Sequence, residues 1–258
     1  MKNHFLILFI FFFLSGFSQS TETKHFSVSL GTGIDVISFR DISSSPLAYS
    51  GFGFPLVFRL KFGSEKIIHQ FDIRLISEKI SNNYPLQSRA NSNLLTWEKA
   101  SFNYSFLHRI KNEKNYLGAS LNSFIFYREY NFLDGQSYEF VSSLDVSYKG
   151  IIPITYKYKI ESNISLPIFA YIHRKPSLTV DEAFLDDLYN DGNLLKYGKA
   201  KFLFASWLGL NISIKNNFKI NQRISITAEI GLNYYTIQFP EKVTNINYPI
   251  LCCINYRF

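Results

Sequence analysis

The side chains best placed to do chemistry in this sequence are ionisable groups set into stretches that alternate apolar and polar residues. Asp35, Arg59, Asp72, Arg74, Asp145 and Glu229 fall on the polar stripe of such stretches, as do Lys61, Glu78, Arg128 and Glu139. With both signs present, the group can form an interior network of ion pairs or a narrow charged constriction. If Gly63–Lys66 is a tight turn, Arg59 comes to lie opposite or diagonal to Gln70 and Asp72 on the neighbouring strand. The network is the favoured reading, because charges removed from water persist only when paired.

Other chemistries are thinly represented. Beyond residue 20 the histidines are His25, His69, His108 and His173, and of these His173, within YIHRKPS, falls at a loop rim. Cys252 and Cys253 are adjacent, and consecutive side chains of a strand point to opposite faces, so two free thiols are expected rather than a strained bridge. No CxxC pair, zinc-ligand spacing or phosphate-cradling glycine loop occurs, and no cofactor is expected. The longest connecting segment, His173–Ala200, contains the acidic stretch TVDEAFLDDLYNDGNLL. Thr179 and Glu182 have capping-box spacing, and Phe184, Leu185 and Leu188 can gather on one face of a short helix. The spacing of its carboxylates is not that of an EF-hand, so a solvated acidic helix is expected rather than a calcium site. Its apolar face makes it the candidate for contact with another protein or for folding over the barrel mouth.

The elements that must carry these groups are strands. The 258-residue chain is 17% aromatic, with 26 Phe and 17 Tyr against 13 Gly and 8 Pro, a composition that favours extended structure. Alternation with period two recurs in segments beginning with His25–Phe39, Phe52–Phe62 and Ile67–Lys79. It continues through Leu95–Ile110, less regularly through Tyr116–Tyr130, and through Tyr138–Ile160, Lys201–Lys215, Arg223–Gln238 and Asn245–Phe258, while Ile164–Ile172 is a short strand of nearly continuous apolar character. About ten strands are expected, within a range of about 8 to 12. Tyr138–Ile160 keeps its phase across Gly150 and Pro153, so it reads as one long strand, with the next turn at Glu161–Asn163. The connections alternate in length: GSEK, KNEKN, ESN and NNFKINQ on one side, mostly longer segments on the other.

Residues 1–20 form a separate region: one Lys, the apolar run FLILFIFFFL, then small residues at Gly16, Ser18 and Ser20. Ten apolar residues are too few to cross a bilayer as a helix, which needs about 20, so this region is expected to be a secretory signal peptide and residues 21–258 the mature domain. The formal net charge of +7 becomes +6 without Lys2. The basic residues are scattered through alternating segments rather than clustered, which argues against nucleic acid as a partner.

Stripes such as Phe52, Phe54, Leu56, Phe58, Leu60 and Phe62 need an apolar solvent or a partner sheet. In hydrocarbon an open sheet would leave unpaired N–H and C=O groups at its edges, each costing several kcal/mol, so the sheet must close on itself. Most segments reach the roughly 9–11 residues a transmembrane strand requires. In these respects, and in the ending YPILCCINYRF, the chain resembles the small outer-membrane β-barrel proteins of Gram-negative bacteria. Ile250, Cys252, Ile254, Tyr256 and Phe258 alternate up to a terminal aromatic. The resemblance covers Phe26–Phe258 and implies an all-β transmembrane antiparallel barrel with short periplasmic turns, longer extracellular loops and both termini in the periplasm. It also implies outer-membrane lipid as surroundings and a passage through the barrel assembly machinery, with Tyr256 and Phe258 as its signal.

Enzymes exist in this architecture. Omptin proteases use acidic residues and a His at the outer rim, and barrel acyl hydrolases use Ser and His. Neither pattern is recognisable around His173. The expectation is therefore a non-enzymatic barrel with a mostly filled lumen, acting in surface binding or as an accessory subunit of an envelope complex. A narrow solute channel and a rim hydrolase are the alternatives. A wide pore is disfavoured because open porins use about 16–18 strands, whereas about eight are just filled by side chains.

Overall fold

The computed structural model describes residues 25–41, 48–81, 94–110, 114–130, 135–174, 199–203, 207–238 and 242–258. The N-terminal residues 1–20 and the loop residues Phe184, Leu185 and Leu188 lie outside them. The strands are β1 (His25–Asp41), β2 (Ala48–Gly53), β3 (Leu56–Gly63), β4 (Ile67–Ser81), β5 (Leu94–Arg109) and β6 (Asn115–Tyr130). They continue with β7 (Gly135–Pro153), β8 (Tyr158–Arg174), β9 (Lys199–Leu203), β10 (Trp207–Lys219), β11 (Ile224–Ile237) and β12 (Val243–Arg257).

These pair antiparallel into a closed wall. β1 meets β12 over fifteen positions from Ser27↔Arg257 to Asp41↔Val243, which seals the barrel and leaves no free edge at the chain ends. β2 and β3 are two halves of one staircase between β1 and β4, interrupted at Phe54 and Pro55. Proline has no N–H to give the ladder, which accounts for a break there. β9 and β10 likewise share the position after β8. Ten staves therefore form the barrel.

At the end that carries both termini the connections are tight. Gly63 has φ +139°, open to glycine but strained for other residues. Ser64 Oγ then accepts from the N–H groups of Lys66 and Ile67, and Asn221 Oδ1 does the same for Arg223 and Ile224. These are side-chain-closed turns.

The boundary between the sixth and seventh staves differs from the sequence expectation. β7 ends at Pro153, the turn is Ile154–Lys157 with Thr155 Oγ1 accepting from Lys157 and Tyr158, and Glu161–Asn163 lie inside β8. The β7–β8 register pairs Ile152 with Ile160 and Pro153 with Lys159, even with even and odd with odd. The inside–outside phase thus runs straight through the turn, and alternation alone does not reveal it.

A second irregularity lies higher in β8. Leu144 faces Phe169 but Asp145 faces Pro167, so Ile168 is an extra residue, a bulge beside a proline. Inward positions are odd up to Pro167 and even from Ala170 onward, which blurs the alternation of Ile164–Ile172.

Outward side chains are apolar and bare. Leu30, Leu56, Leu208, Ile230 and Ile254 are each about 60% exposed, a belt that only hydrocarbon would cover favourably. Toward the turn end this face carries a stack of rings: Phe62 on His69 at 4.8 Å, His69 on Phe106 at 5.2 Å and Phe71 on Tyr104 at 4.6 Å. His69 Nδ1 lies 2.9 Å from the Tyr104 hydroxyl. Amphipathic rings at this level suit a membrane–water interface. Both cysteines are free, Cys252 on the outer face and Cys253 buried.

Candidate functional site

Inward-facing residues fill the lumen in layers. At the loop end, Ile37, Phe39, Tyr49, Ile76, Ile80, Leu95, Trp97, Phe126, Val141, Ala170, Ile172, Tyr235, Ile237 and Val243 form one apolar cluster. They come from β1, β2, β4, β5, β6, β7, β8, β11 and β12, so the cluster spans almost the whole cross-section. Inside it sits an ionic quartet of Asp41, Arg128, Glu139 and Arg174, all with fully buried side chains. Arg128 reaches Asp41 at 3.6 Å and Glu139 at 3.2 Å, and Arg174 pairs with Asp41 and lies 3.6 Å from Glu139. Tyr235 donates to Glu139 at 3.0 Å, and the Arg128 guanidinium lies over the Phe39 ring at 4.2 Å. Among the described residues two cations face two carboxylates, the balance under which burial so far from water is tolerable.

Below this plug lies a polar belt. Asn103, Asn122 and Asp145 are linked in a chain, and Ser143 donates to Asp145 at 2.7 Å. Ser120 donates to Ser105 at 2.9 Å and meets Ser147 at 2.5 Å, and Ser147 meets Ser165. A cavity of about 190 Å³ runs beside it, lined in part by Arg74 and Lys99. Asp35, fully buried, has no hydrogen-bond partner among the described residues and feels chiefly the charges of Lys99 and Arg74.

Toward the turn end comes a second charged layer. Arg59 pairs with Asp72, directly opposite in the β3–β4 register, and its Nη2 reaches Glu229 at 2.9 Å. Lys215 lies 3.5 Å from Glu229, and Gln70 donates to Asp72 at 2.8 Å. Beside this group Glu161 is shared by three lysines: Lys149 and Lys159 at 2.6 Å each and Lys61 at 4.0 Å. The layer opens into a vestibule of about 550 Å³ at the turn end.

Of the residues singled out in sequence, the structure thus brings Arg59, Asp72 and Glu229 together. It places Asp145 in the polar belt, Arg74 at the mid-lumen cavity and Asp35 outside the Arg59 group, within reach of the Arg74 and Lys99 charges. Asp41, Arg174, Lys149, Glu161 and Lys215 were not among the candidates. Asp41 and Arg174 fall at positions where alternation passes into long loops, and the Ile168 bulge reverses the phase ahead of Arg174. Glu161 falls in the expected Glu161–Asn163 turn and stands instead inside β8. His173 is buried at the loop end of β8, with its ring 5.6 Å from that of Tyr138. Tyr256 and Phe258 pack ring to ring at 4.9 Å, and Phe258 also meets Phe26 at 5.2 Å, where the last strand closes on the first. Among the described residues no three His, Cys, Asp or Glu side chains converge to hold a metal ion.

A closed ten-stave antiparallel barrel with an apolar outer belt and a polar, charged interior is the architecture of bacterial outer-membrane proteins. The chain has the fold of the outer-membrane β-barrels of Gram-negative bacteria. The outer-membrane protease OmpT of Escherichia coli superposes with a TM-score of 0.57 at 7% identity, over 94% of this chain and 100% of that one. The translocator domain of the autotransporter NalP of Neisseria meningitidis gives 0.52 at 9% identity, over 95% and 91%. No protein-family model and no curated protein sequence matches. A protease and a translocator on one architecture carry fold and not function across to this chain.

Proposed function

We propose that this chain is a non-enzymatic integral outer-membrane barrel, synthesised with a cleaved signal peptide, that does not pass solutes. In this reading it works by binding at the cell surface or as an accessory subunit of an envelope complex, with both termini in the periplasm. The observation that carries the proposal is the loop-end plug. Among the described residues, an apolar cluster drawn from nine strands and packed around an ionic quartet fills the lumen at that level. The short turns at the terminus-bearing end support the orientation. His173, buried against Tyr138, is not presented to a substrate in the way a rim hydrolase needs.

Reconstitution in planar bilayers tests this. The barrel is expected to give no discrete conductance steps, and co-purification from native membranes in mild detergent is expected to retain specific envelope proteins. Conductance that Arg59→Ala or Arg74→Ala alters would replace this reading with a narrow channel. Hydrolysis abolished by His173→Ala would replace it with an enzyme.

A further inference from the structure

The vestibule at the turn end concentrates charge in a way the rest of the barrel does not. Nine basic and two acidic side chains line it, and once Arg59 and Lys215, which Asp72 and Glu229 match, are set aside, a surplus of five positive charges remains. The remaining charged layers are close to balanced. Among the described residues the loop-end quartet sets two cations against two carboxylates, and Arg59 and Lys215 are matched by Asp72 and Glu229.

The surplus begins at the base of the vestibule. Glu161 already has Lys149 and Lys159 at 2.6 Å, so Lys61, 4.0 Å away, faces a carboxylate that is doubly engaged. Three lysines around one carboxylate leave an excess of positive character in a narrow lumen, where repulsion is poorly screened. At the rim Lys157, Lys219, Arg223 and Arg257 extend the same sign, while Glu65 is engaged by Arg109 at 3.5 Å. Asn217 contributes a buried amide N–H with no partner among the described residues, a neutral donor on the same wall.

We propose that this vestibule is a binding site for a ligand bearing several phosphate groups. Its volume of about 550 Å³ falls within the range of about 300–1,000 Å³ typical of small-molecule sites and is too confined for a folded partner. The donors at its base are mainly lysine ammoniums, point charges that adapt to the several oxygens of a tetrahedral phosphate. A planar carboxylate is matched better by the arginine fork. Among the described residues every stave at the turn end pairs with both neighbours, so no strand edge opens there to hold a peptide by main-chain pairing. This inference goes beyond the role proposed above and rests on the closed barrel alone.

The test is calorimetric titration of the full-length mature barrel, in a neutral maltoside detergent, with inorganic tripolyphosphate. Saturable binding at one site per barrel is expected, weakened by raising the salt from about 50 to about 200 mM. Lys61→Met with Lys159→Met should reduce affinity about tenfold per lysine removed. Lys79→Met, which removes a charge on the opposite half of the barrel, should leave it unchanged. Retention of the compact, heat-modifiable band on cold SDS gels separates loss of the site from loss of the barrel. Repeating the titration in nanodiscs names the source. Competition by anionic phospholipid identifies a lipid headgroup, and its absence a soluble phosphate. The proposal is overturned by absence of saturable binding to the folded barrel, by equal weakening in Lys79→Met, or by tighter binding of a glutamate-rich peptide of the same charge.

Discussion

Replacing Arg128 by methionine removes one cation from a site that has no access to water. Methionine keeps much of the side-chain length, so the effect is mainly that of charge. Asp41 loses its contact at 3.6 Å and Glu139 its contact at 3.2 Å, so that of the described quartet one cation, Arg174, remains beside two buried carboxylates. The Tyr235 hydroxyl still donates to Glu139, but a neutral donor does not balance a full charge. Breaking a buried ion pair from one side costs about 3–5 kcal/mol, and the lost stacking of the guanidinium on Phe39 adds about 0.5–2 kcal/mol. A total of about 5 kcal/mol is expected, between about a thousandfold and ten-thousandfold in the folding equilibrium. The assay is urea-induced unfolding in phospholipid vesicles, followed by tryptophan fluorescence. A companion variant with Asp41→Leu, Glu139→Leu, Arg128→Met and Arg174→Met removes all four charges together, and such replacements are commonly neutral or stabilising. If Arg128→Met loses less than about 1 kcal/mol, or the fourfold variant loses more than the single one, the quartet is not the buried, mutually compensating unit described here.

Two further substitutions probe the wall. Gly63→Ala puts a methyl group 2.1 Å from the Ile67 carbonyl oxygen at a φ of +139°. It should lower stability by about 1–3 kcal/mol in the same unfolding assay, and a loss under about 0.5 kcal/mol would contradict the turn geometry. Ile250→Arg places a charge on the outer face, where Ile34 and Ile230 flank it in register. Equilibrium folding into phosphatidylcholine vesicles should weaken by about 2–4 kcal/mol, and no change would mean that Ile250 does not face the hydrocarbon.

Most of the architecture was legible because one physical constraint acts along the whole chain. A wall with lipid on one side and packed polar groups on the other forces period two, and β1, β4, β5, β11 and β12 follow it below the loop-end plug. The failures have equally local causes. The Ile154–Lys157 turn preserves parity, so Tyr138–Ile160 looked continuous, and Glu161 was lost from the interior as a result. The Ile168 bulge reverses parity, which made Ile164–Ile172 look uniformly apolar and hid the inward direction of Arg174. Pairing between distant strands was legible only where a turn fixed the register, as for Arg59 and Asp72. Nothing local in the sequence says that Glu229, 170 residues further on, completes that group. The apolar loop-end plug was also hidden, since Ile76, Ile80, Leu95 and Trp97 stand on the stripe that is polar elsewhere in the same strands.

The central claim is that the apolar stripe of each strand meets acyl chains while the opposite stripe faces a closed interior. A nitroxide scan along β12, in a background with both cysteines replaced by alanine and reconstituted in phospholipid bilayers, tests it most directly. Spin labels at Ile246, Tyr248, Ile250 and Ile254 should collide freely with oxygen and barely with a water-soluble nickel reagent, while labels at Asn245, Asn247 and Leu251 should be shielded from oxygen. If the even positions respond to the nickel reagent instead, or if the scan loses its period of two, the outer face is not in lipid and the account fails.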